Sequence, residues 1–359
     1  MRILMLIPHE GVRGPMPRIV DLLVNGLRNL DCMVSTAPWG RHADDEGLPS
    51  KVVGRFRDVF HVRRVASAFR PDAIVVQTSH DWASIVRDLA LTAALKHASR
   101  SLVLQMHGSW ADRLVSPGNA LLKRATSLLL HGVDGVLVLS SEEQRAFKAF
   151  HPGGRFEVVD NPFDGGVQRP RSIRELGPDD EASLLFAGRL LPEKGASDAV
   201  EAVALLNQRR RARLVVAGSG PAEAELARAA RERGITGRVD LVGHLSRTAL
   251  ENAYRGADVF VFPTYATEGF PTVIAEALSA GLPIVTTRIR GIADHLEDRV
   301  NALFVPEREP RALAMTLEEL LADRGLRERM AGANRSAIER FAPERVAREY
   351  LDALSRVVG

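Results

Sequence analysis

The sequence predicts an α/β protein with two doubly wound domains. The chain has 359 residues, which is long for one α/β domain and sufficient for two. Its 45% hydrophobic and 26% charged residues are typical of a globular protein. Short apolar runs alternate with longer amphipathic stretches along the whole chain. Such strand–helix alternation produces parallel sheets wound by right-handed crossovers, and some eleven strands are too many for one ordinary open sheet.

The predicted strands are short runs rich in Val, Ile and Leu. Five precede the middle of the chain, at 3–8, 73–78, 102–107, 135–140 and 155–161. Six follow it, at 183–188, 213–218, 239–243, 258–263, 283–287 and 302–306. The stretch 161–183 is rich in Gly, Pro and charge and lacks apolar periodicity, so it predicts the seam between domains. We therefore predict an N-terminal domain over 1–165, a C-terminal domain over 166–341 and a final helix within 342–359.

Composition narrows the class of protein. The single cysteine, Cys32, excludes an intrachain disulfide and favours a reducing compartment. The N-terminus lacks the longer apolar run and the cleavage site of a signal peptide. No stretch approaches the ~20 apolar residues that span a bilayer. The net charge is only +3 and no basic, aromatic-rich surface is evident, so we expect a cytoplasmic protein that binds no nucleic acid.

One stretch of the N-terminal half is strongly basic. Residues 55–70, "RFRDVFHVRRVASAFR", carry five arginines and one acid together with Phe56, Phe60 and Phe69. This composition favours an amphipathic helix that docks on an anionic membrane surface. The alternative is a solvated basic helix face.

A candidate phosphate site follows the strand at 183–188. In "LLFAGRLLPEKGA" the strand ends at Gly188, and a helix is predicted to begin after Gly195. Arg189 and Lys194 are therefore held near a helix N-terminus, which suits a diphosphate. The spacing is not that of a P-loop. The alternative is a solvated charged loop.

A second candidate site lies in "TEGFPTVIAEALSAGLPIVTT". Pro271 suits the first position of a helix, and the first-turn amides of that helix favour an anion. Glu276 lies in the middle of this apolar helix and should be at least partly buried. A buried carboxylate needs hydrogen-bond donors, which sugar or ribose hydroxyls would supply. The alternative is a glutamate on an exposed helix edge.

Two further loops follow strands of the N-terminal half. The glycine-containing loop at 8–18 lacks the G-x-G-x-x-G spacing, which argues against a nicotinamide dinucleotide site. His107, followed by Gly108, ends the strand at 102–107. His107 is a candidate for the functional site, and the alternative is that its role is only structural.

Taken together, these stretches resemble the family 4 retaining glycosyltransferases of the GT-B fold. "EGFPTVIAE" is similar to the family's E-x7-E motif, and "FAGRLLPEKG" to its G-R-x-x-x-x-K-G motif. "VVAGSGP", "MHG" and "VVDNPFD" match further segments in order. The resemblance implies two Rossmann-like domains that face each other across a cleft, an N-terminal one for the acceptor and a C-terminal one for a nucleotide-sugar. It also implies a C-terminal helix that crosses back to the N-terminal domain.

The resemblance implies roles for individual residues. Arg189 and Lys194 would hold the donor diphosphate, and Glu276 would bind the ribose. Glu268 would bind hydroxyls of the donor sugar, and His107 would reach one of them. The implied catalytic residues are Glu268, His107, Arg189 and Lys194. The implied donor-binding residues are Gly14, Gly188, Arg189, Lys194, His244, Leu245, Glu268, Gly269, Phe270, Thr272 and Glu276.

The sequence departs from the family in its first loop. The family usually has Gly-Gly there, whereas this chain has Gly14-Pro15. Proline has no amide hydrogen, so one phosphate contact is absent or comes from elsewhere in the loop. The nucleotide base would lie against the backbone near His244 and Leu245.

The resemblance implies a retaining, metal-independent hexosyltransferase without a cofactor, in which a phosphate oxygen of the donor acts as base. We expect a UDP- or GDP-sugar donor, a sugar or lipid-linked hydroxyl acceptor, and a role in bacterial glycoconjugate or polysaccharide assembly, with peripheral contact at the inner membrane face. A sugar-nucleotide epimerase, a transferase with a soluble small-molecule acceptor and a non-catalytic nucleotide-sugar sensor are the alternatives.

Overall fold

The computed structural model describes residues 1–9, 14–40, 48–95, 98–165, 173–177 and 179–359, with the backbone alone for 48–53. The chain forms two compact units. Unit 1 comprises Met1–Asp164, Thr267–Phe270 and Arg340–Gly359. Unit 2 comprises Gly165–Ala266 and Pro271–Glu339. The residues 166–172, just after the predicted boundary at 165, lie outside the described residues.

The strands in chain order are β1 Arg2–Ile7, β2 Met33–Pro38, β3 Ala73–His80, β4 Ser101–Ser109, β5 Gly135–Val138, β6 Phe156–Val158, β7 Ala182–Ala187, β8 Ala212–Ala217, β9 Val239–Gly243, β10 Val259–Phe262, β11 Ile284–Thr287 and β12 Ala302–Val305. The helices are α1 Met16–Arg28, α2 Leu48–Phe69, α3 Trp82–Leu95, α4 Ala111–Val115, α5 Ala120–His131, α6 Ser141–Phe150, α7 Ala196–Leu206, α8 Glu223–Glu232, α9 Arg247–Gly256, α10 Thr272–Ser279, α11 Arg290–His295, α12 Pro310–Ala322, α13 Arg324–Ala337 and α14 Pro343–Val358.

Unit 1 is built on a parallel sheet with the strand order β2-β1-β3-β4-β5-β6. Because side chains alternate along a strand, each strand serves two cores, one on either face of the sheet. Leu4 and Ile74 belong to one cluster, whereas Ile3 and Val75 belong to the other. Both faces are therefore covered, as expected of a doubly wound sheet.

The second of these cores is closed by the C-terminal helix. α14 packs against α1 and contributes Tyr350, Leu354 and other residues to the core that contains Ile3. Gly26 of α1 permits this close approach, since a Cβ there would lie 2.7 Å from the Cβ of Ala347. The chain thus returns to its first unit at its end.

Unit 2 repeats the architecture with the strand order β12-β11-β10-β7-β8-β9, all parallel. Its central strands β7 and β10 are neighbours and are completely buried at Leu185, Phe260 and Val261. The order of strands reverses between β7 and β10, and ligands of open α/β sheets bind outside the carboxyl ends of strands at such a reversal.

All eleven predicted strands are present, and the structure adds β2. The sequence of β2, "MVSTAP", lacks a continuous apolar run because this strand lies at the edge of its sheet and is partly exposed. Thr267–Phe270, assigned to the C-terminal domain by sequence, groups with unit 1, since Glu268 forms an antiparallel backbone bridge with Gly108. Among the described residues, no helix is long and apolar enough to cross a membrane.

Candidate functional site

The predicted phosphate site lies on the loop 188–195 between β7 and α7, which we call the cation loop because it carries Arg189 and Lys194. Arg189 is exposed and follows Gly188 directly, whereas Lys194 ends a short 3₁₀ turn and is only 5% exposed. The Lys194 Nζ lies 5.7 Å from the centroid of the Phe262 ring. α7 begins at Ala196, directly after Gly195, as predicted. The loop therefore carries one cation in solvent and one held in a low-dielectric environment.

This loop is fastened to the loop that follows β10. The carbonyl of Glu193 accepts hydrogen bonds from the Tyr265 amide at 2.9 Å and from the Thr264 hydroxyl at 3.2 Å. Gly195 has a φ of +77°, and a Cβ there would lie 2.1 Å from the carbonyl oxygen of Pro263. No other residue fits this position, so the glycine fixes how closely the two loops approach.

The loop after β8 supports the cation loop from its other side. The amide of Gly188 donates to the carbonyl of Ala217 at 3.0 Å, and the amide of Leu190 donates to that of Ser219 at 2.9 Å. Gly218 lies so close that a Cβ would stand 1.8 Å from the Gly188 oxygen. The glycines of "VVAGSGP", a weak signal when considered alone, are thus required by packing against the cation loop.

Glu276 lies on α10, which begins after the loop that follows β10. Pro271 was predicted to be the first residue of this helix but occupies its N-cap, so the helix begins one residue later than predicted, at Thr272. Glu276 is half-buried, and its Oε2 accepts a hydrogen bond from the Tyr254 hydroxyl at 2.8 Å. Burial, and then the negative charge of Glu276, raise the pKa of Tyr254 well above its usual value. The tyrosine therefore remains protonated and can donate.

Tyr254 was not predicted from the sequence. It is the one buried residue of α9, in an otherwise polar helix with the sequence "RTALENAYRG". A single aromatic residue on such a helix is a usable signal of burial, but only the structure shows that its hydroxyl meets Glu276.

In unit 1, the structure brings Glu268 beside the end of β4. Glu268 forms its backbone bridge with Gly108, the residue that directly follows His107. Gly269 is buried against Leu139, since a Cβ on Gly269 would lie 2.2 Å from the Leu139 Cβ. These contacts fix the position of the first carboxylate of the motif.

The next residue anchors the same segment. The Phe270 ring stacks on the Phe341 ring, with 4.7 Å between their centroids and 7° between their planes. Phe341 in turn accepts a hydrogen bond at its carbonyl from the Phe163 amide at 2.8 Å. Three separate parts of the chain therefore meet around the residues that follow Glu268.

His107 is held by one of its two ring nitrogens. Its Nε2 lies 2.6 Å from the Oε1 of Gln77, while Nδ1 is buried without a hydrogen-bond partner among the described residues. Burial lowers the pKa of His107 to about 4, so the ring is neutral at physiological pH. Gln77 was not predicted as part of the site, although a glutamine inside the apolar strand "AIVVQT" was a visible signal.

The remaining predicted residues lie at other strand ends. His244 is exposed and Leu245 is half-buried directly after β9, which is two strands from β7. Gly14 is exposed with a φ of +124°, and Pro15 is the N-cap of α1. The rest of that first loop, residues 10–13, lies outside the described residues.

Within the part of the chain that the structure describes, no group of three or more His, Cys, Asp and Glu residues is arranged to hold a metal ion. In unit 2, two neighbouring strands thus present a cation loop and a carboxylate helix at one edge of the sheet. In unit 1, a neutral histidine and a carboxylate segment share the end of β4.

Comparison with known proteins assigns this arrangement to a family. Residues 16–162 match the model described as glycosyl transferase 4-like domain, and residues 168–337 match that of glycosyl transferases group 1. The chain belongs to the GT4-type glycosyltransferases. Its two sheets have the GT-B architecture, as predicted.

Relatives of this glycosyltransferase act on different molecules. It is 34% identical to the D-inositol 3-phosphate glycosyltransferase of Xylanimonas cellulosilytica over 211 residues, which are 57% of this chain and 50% of that protein. It is 28% identical to the glycogen synthase of Mycobacterium tuberculosis over 324 residues, 86% and 72% of the two chains. The chain spans about half the length of the curated relatives that it matches first.

Solved structures share the fold at low identity. The apo form of the lipopolysaccharide outer core galactosyltransferase WaaB has a TM-score of 0.76 at 18% identity, with 99% of both chains covered. Anabaena HepE in complex with UDP and glucose has a TM-score of 0.73 at 20% identity, again with 99% of both chains covered.

Proposed function

We propose that this glycosyltransferase transfers a hexose from a nucleotide-diphosphate sugar to a hydroxyl acceptor with retention of configuration. The observation that supports this most strongly is the fastening of two loops in unit 2. The Glu193 carbonyl of the cation loop accepts hydrogen bonds from the loop that leads to α10. The proposed diphosphate-binding cations and the proposed hydroxyl-binding carboxylate of Glu276 are therefore held at one edge of the sheet. A nucleotide-diphosphate sugar carries both kinds of group.

Arg189 and Lys194 bind the donor diphosphate in this proposal. Arg189 offers a planar set of donors that suits two phosphate oxygens, and Lys194 adds a point charge from a buried position. A fixed cation in a low-dielectric site stabilises the charge that develops on a leaving diphosphate more than a solvated one does. The leaving group is therefore stabilised by side chains, and we propose that neither a metal nor a cofactor is needed.

Glu276 binds the ribose hydroxyls, with Tyr254 holding one of its oxygens in place. Glu268 and His107 bind hydroxyls of the transferred sugar. When the anomeric C–O bond breaks, its electron pair leaves with the diphosphate and the sugar passes through an oxocarbenium-like state. The acceptor hydroxyl then forms the new bond on the same face, and its proton passes to a donor phosphate oxygen.

The donor and the setting are proposed from the relatives. HepE has been solved with UDP and with UDP-glucose, which makes UDP-glucose the first donor to test, with GDP-sugars as the alternative. The similarity to WaaB supports a role in bacterial glycoconjugate or polysaccharide assembly. A sugar or lipid-linked acceptor fits that setting.

Helix α2 supports contact with a membrane surface at the cytoplasmic face. Phe56 and Phe60 lie one turn apart and are 67% and 75% exposed, and Arg57 and Arg64 are exposed on the same stretch. Asp58 is buried, so the one acid of the stretch does not offset these charges at the surface. Exposed aromatic rings beside arginines suit an anionic lipid surface.

A thermal-shift screen with UDP-, GDP- and dTDP-sugars tests the donor assignment. A ligand at about 100 times its Kd should add ~2.7 kcal/mol to the free energy of unfolding. Lys194→Ala should abolish the shift, whereas Lys148→Ala, which removes an exposed lysine of α6, should leave it unchanged. No shift with any nucleotide-sugar would refute the proposal.

Product analysis separates transfer from the alternatives. Incubation of the donor without acceptor followed by NMR should show no epimerised nucleotide-sugar, since an epimer would identify the epimerase alternative. With a hydroxyl acceptor, the anomeric coupling of the product should match that of the donor. A donor that binds but is never consumed would favour a sensor.

Vesicle binding tests the membrane contact. The chain should sediment with vesicles that contain phosphatidylglycerol at low salt and be released at high salt, because the attraction is electrostatic. Phe56→Ser with Phe60→Ser should weaken binding, whereas Met315→Ser, at an exposed apolar residue of α12, should not. Absence of binding to any vesicle would favour a soluble small-molecule acceptor.

A further inference from the structure

A chain of side-chain hydrogen bonds runs through unit 1 from the C-terminal helix to His107. The Tyr350 hydroxyl of α14 donates to the Oε1 of Gln105 at 2.7 Å. The Nε2 of Gln77 donates to the same oxygen at 2.9 Å. The Oε1 of Gln77 lies 2.6 Å from the Nε2 of His107. Gln77 and Gln105 are both buried and face each other across β3 and β4.

The orientation of the Gln77 amide decides which nitrogen of His107 carries the hydrogen. The Gln77 oxygen can only accept, so the Nε2 of His107 donates to it. Reversing both amides would instead turn the Gln77 nitrogen toward His107, so that Nε2 would accept and Nδ1 would carry the hydrogen. Nδ1 is buried without a hydrogen-bond partner among the described residues, and a buried unpaired donor is costly.

We propose that Tyr350, Gln105 and Gln77 are positioning residues that hold His107 in its Nε2–H tautomer, so that its Nδ1 accepts a hydrogen bond from a hydroxyl of the donor sugar. That Nδ1 is buried and has no hydrogen-bond partner among the described residues, which leaves its lone pair available for a ligand. The identity of the ligand group rests on the proposed function. The ligand group at Nδ1 must have a hydrogen to donate, which a hydroxyl of the proposed hexose has and a phosphate, carboxylate or carbonyl oxygen lacks.

Nitrogen NMR of the ligand-free chain tests the tautomer directly. In protein labelled with ¹⁵N at histidine, His107 should show a protonated Nε2 and an unprotonated Nδ1 at pH 7, with its signals assigned from His107→Gln. Gln77→Leu should remove this preference. Tyr350→Phe should reduce it, because the Gln105 amide then loses one of the hydrogen bonds that fix its orientation. Tyr254→Phe removes a buried hydroxyl in unit 2 and is the matched control, with no expected change at His107.

The outcomes are decisive in either direction. A hydrogen on Nδ1, or fast exchange between tautomers in the unaltered chain, would overturn the proposal. An unchanged tautomer in Tyr350→Phe would exclude Tyr350 from the positioning set. Gln77→Glu should place a carboxylate against Nε2 and shift both ring nitrogens to protonated positions, which simple loss of packing would not do.

A donor series tests the hydroxyl. Singly deoxygenated and singly fluorinated analogues of UDP-glucose should identify one position at which both changes weaken binding equally, since fluorine cannot donate a hydrogen bond. Full binding of the fluorinated analogue at that position would show that His107 donates, and would overturn the proposal. Failure of UDP-glucose itself to bind would count against the proposed donor, whereas the NMR result would still decide the tautomer.

Discussion

Tyr254→Phe should weaken donor binding through Glu276, although Tyr254 itself need not touch the ligand. The substitution removes only the hydroxyl that donates to the Glu276 Oε2 at 2.8 Å and leaves the buried ring in place. The Glu276 Oε2 then loses this donor, which in the proposed site holds the carboxylate toward the ribose. We therefore expect a loss of affinity for nucleotides with little change in fold.

The size of this effect follows from the burial of the pair. A hydrogen bond to a charged group contributes about 1.5–3 kcal/mol. Glu276 is half-buried, so water replaces part of the lost interaction and the expected effect lies at or below the lower end of that range. A loss of ~1–1.4 kcal/mol corresponds to a rise of about five- to tenfold in Kd.

Calorimetric titration with UDP and with its 2′,3′-dideoxy form measures this effect. The rise in Kd should appear with UDP and vanish with the dideoxy form, which has no ribose hydroxyls for Glu276 to bind. Tyr350→Phe is the matched control, because it also removes a buried tyrosine hydroxyl, but one in unit 1 that donates to Gln105 and has no part in the proposed nucleotide site. Equal losses with both nucleotides would refute the link between Tyr254, Glu276 and the ribose.

Two further predictions concern stability. Gly218→Ala should lower both the melting temperature and the affinity for UDP, because a Cβ would clash with the Gly188 oxygen; Gly234→Ala, at a positive φ with open space, should cost only about 1 kcal/mol in thermal denaturation. Burial lowers the pKa of His80 and His107 to about 4, so between pH 6.5 and 4 the unfolded chain binds more protons than the folded one. The free energy of unfolding should fall as pH falls through this window, by up to ~2.7 kcal/mol per pH unit from the two groups. When both histidines are replaced by Gln, the free energy of unfolding measured in urea should depend less on pH between pH 7 and 5. An unchanged dependence on pH would contradict the assignment.

The sequence predicted the strands well because buried parallel strands are continuous apolar runs. β2 was not predicted, because an edge strand exposes part of its surface and therefore has no continuous apolar run. The cation loop and the helix around Glu276 could also be predicted, since Arg189, Lys194 and Glu276 interrupt recognisable strand–loop–helix patterns.

The supporting residues could not be predicted in the same way. Tyr254 and Glu276 are 22 positions apart, and Gln105 and Tyr350 are 245 apart. Sequence shows that a polar residue interrupts an apolar strand, but it does not show which distant group completes its hydrogen bond. The assignment of Thr267–Phe270 to unit 1 was hidden for the same reason, because it depends on a backbone bridge to Gly108.

The return of α14 to unit 1 has a consequence for biosynthesis. The residues 1–164 leave the ribosome first, yet one face of their sheet receives Tyr350, Leu354 and Val357 only after all of unit 2 has been made. Until then, the part of that face at β5 and β6, where α14 packs, lacks its cover, and it includes the apolar side chain of Leu137. The first unit to be translated is therefore the last to be completed, and a fragment that ends at residue 164 should aggregate unless α14 is supplied in trans.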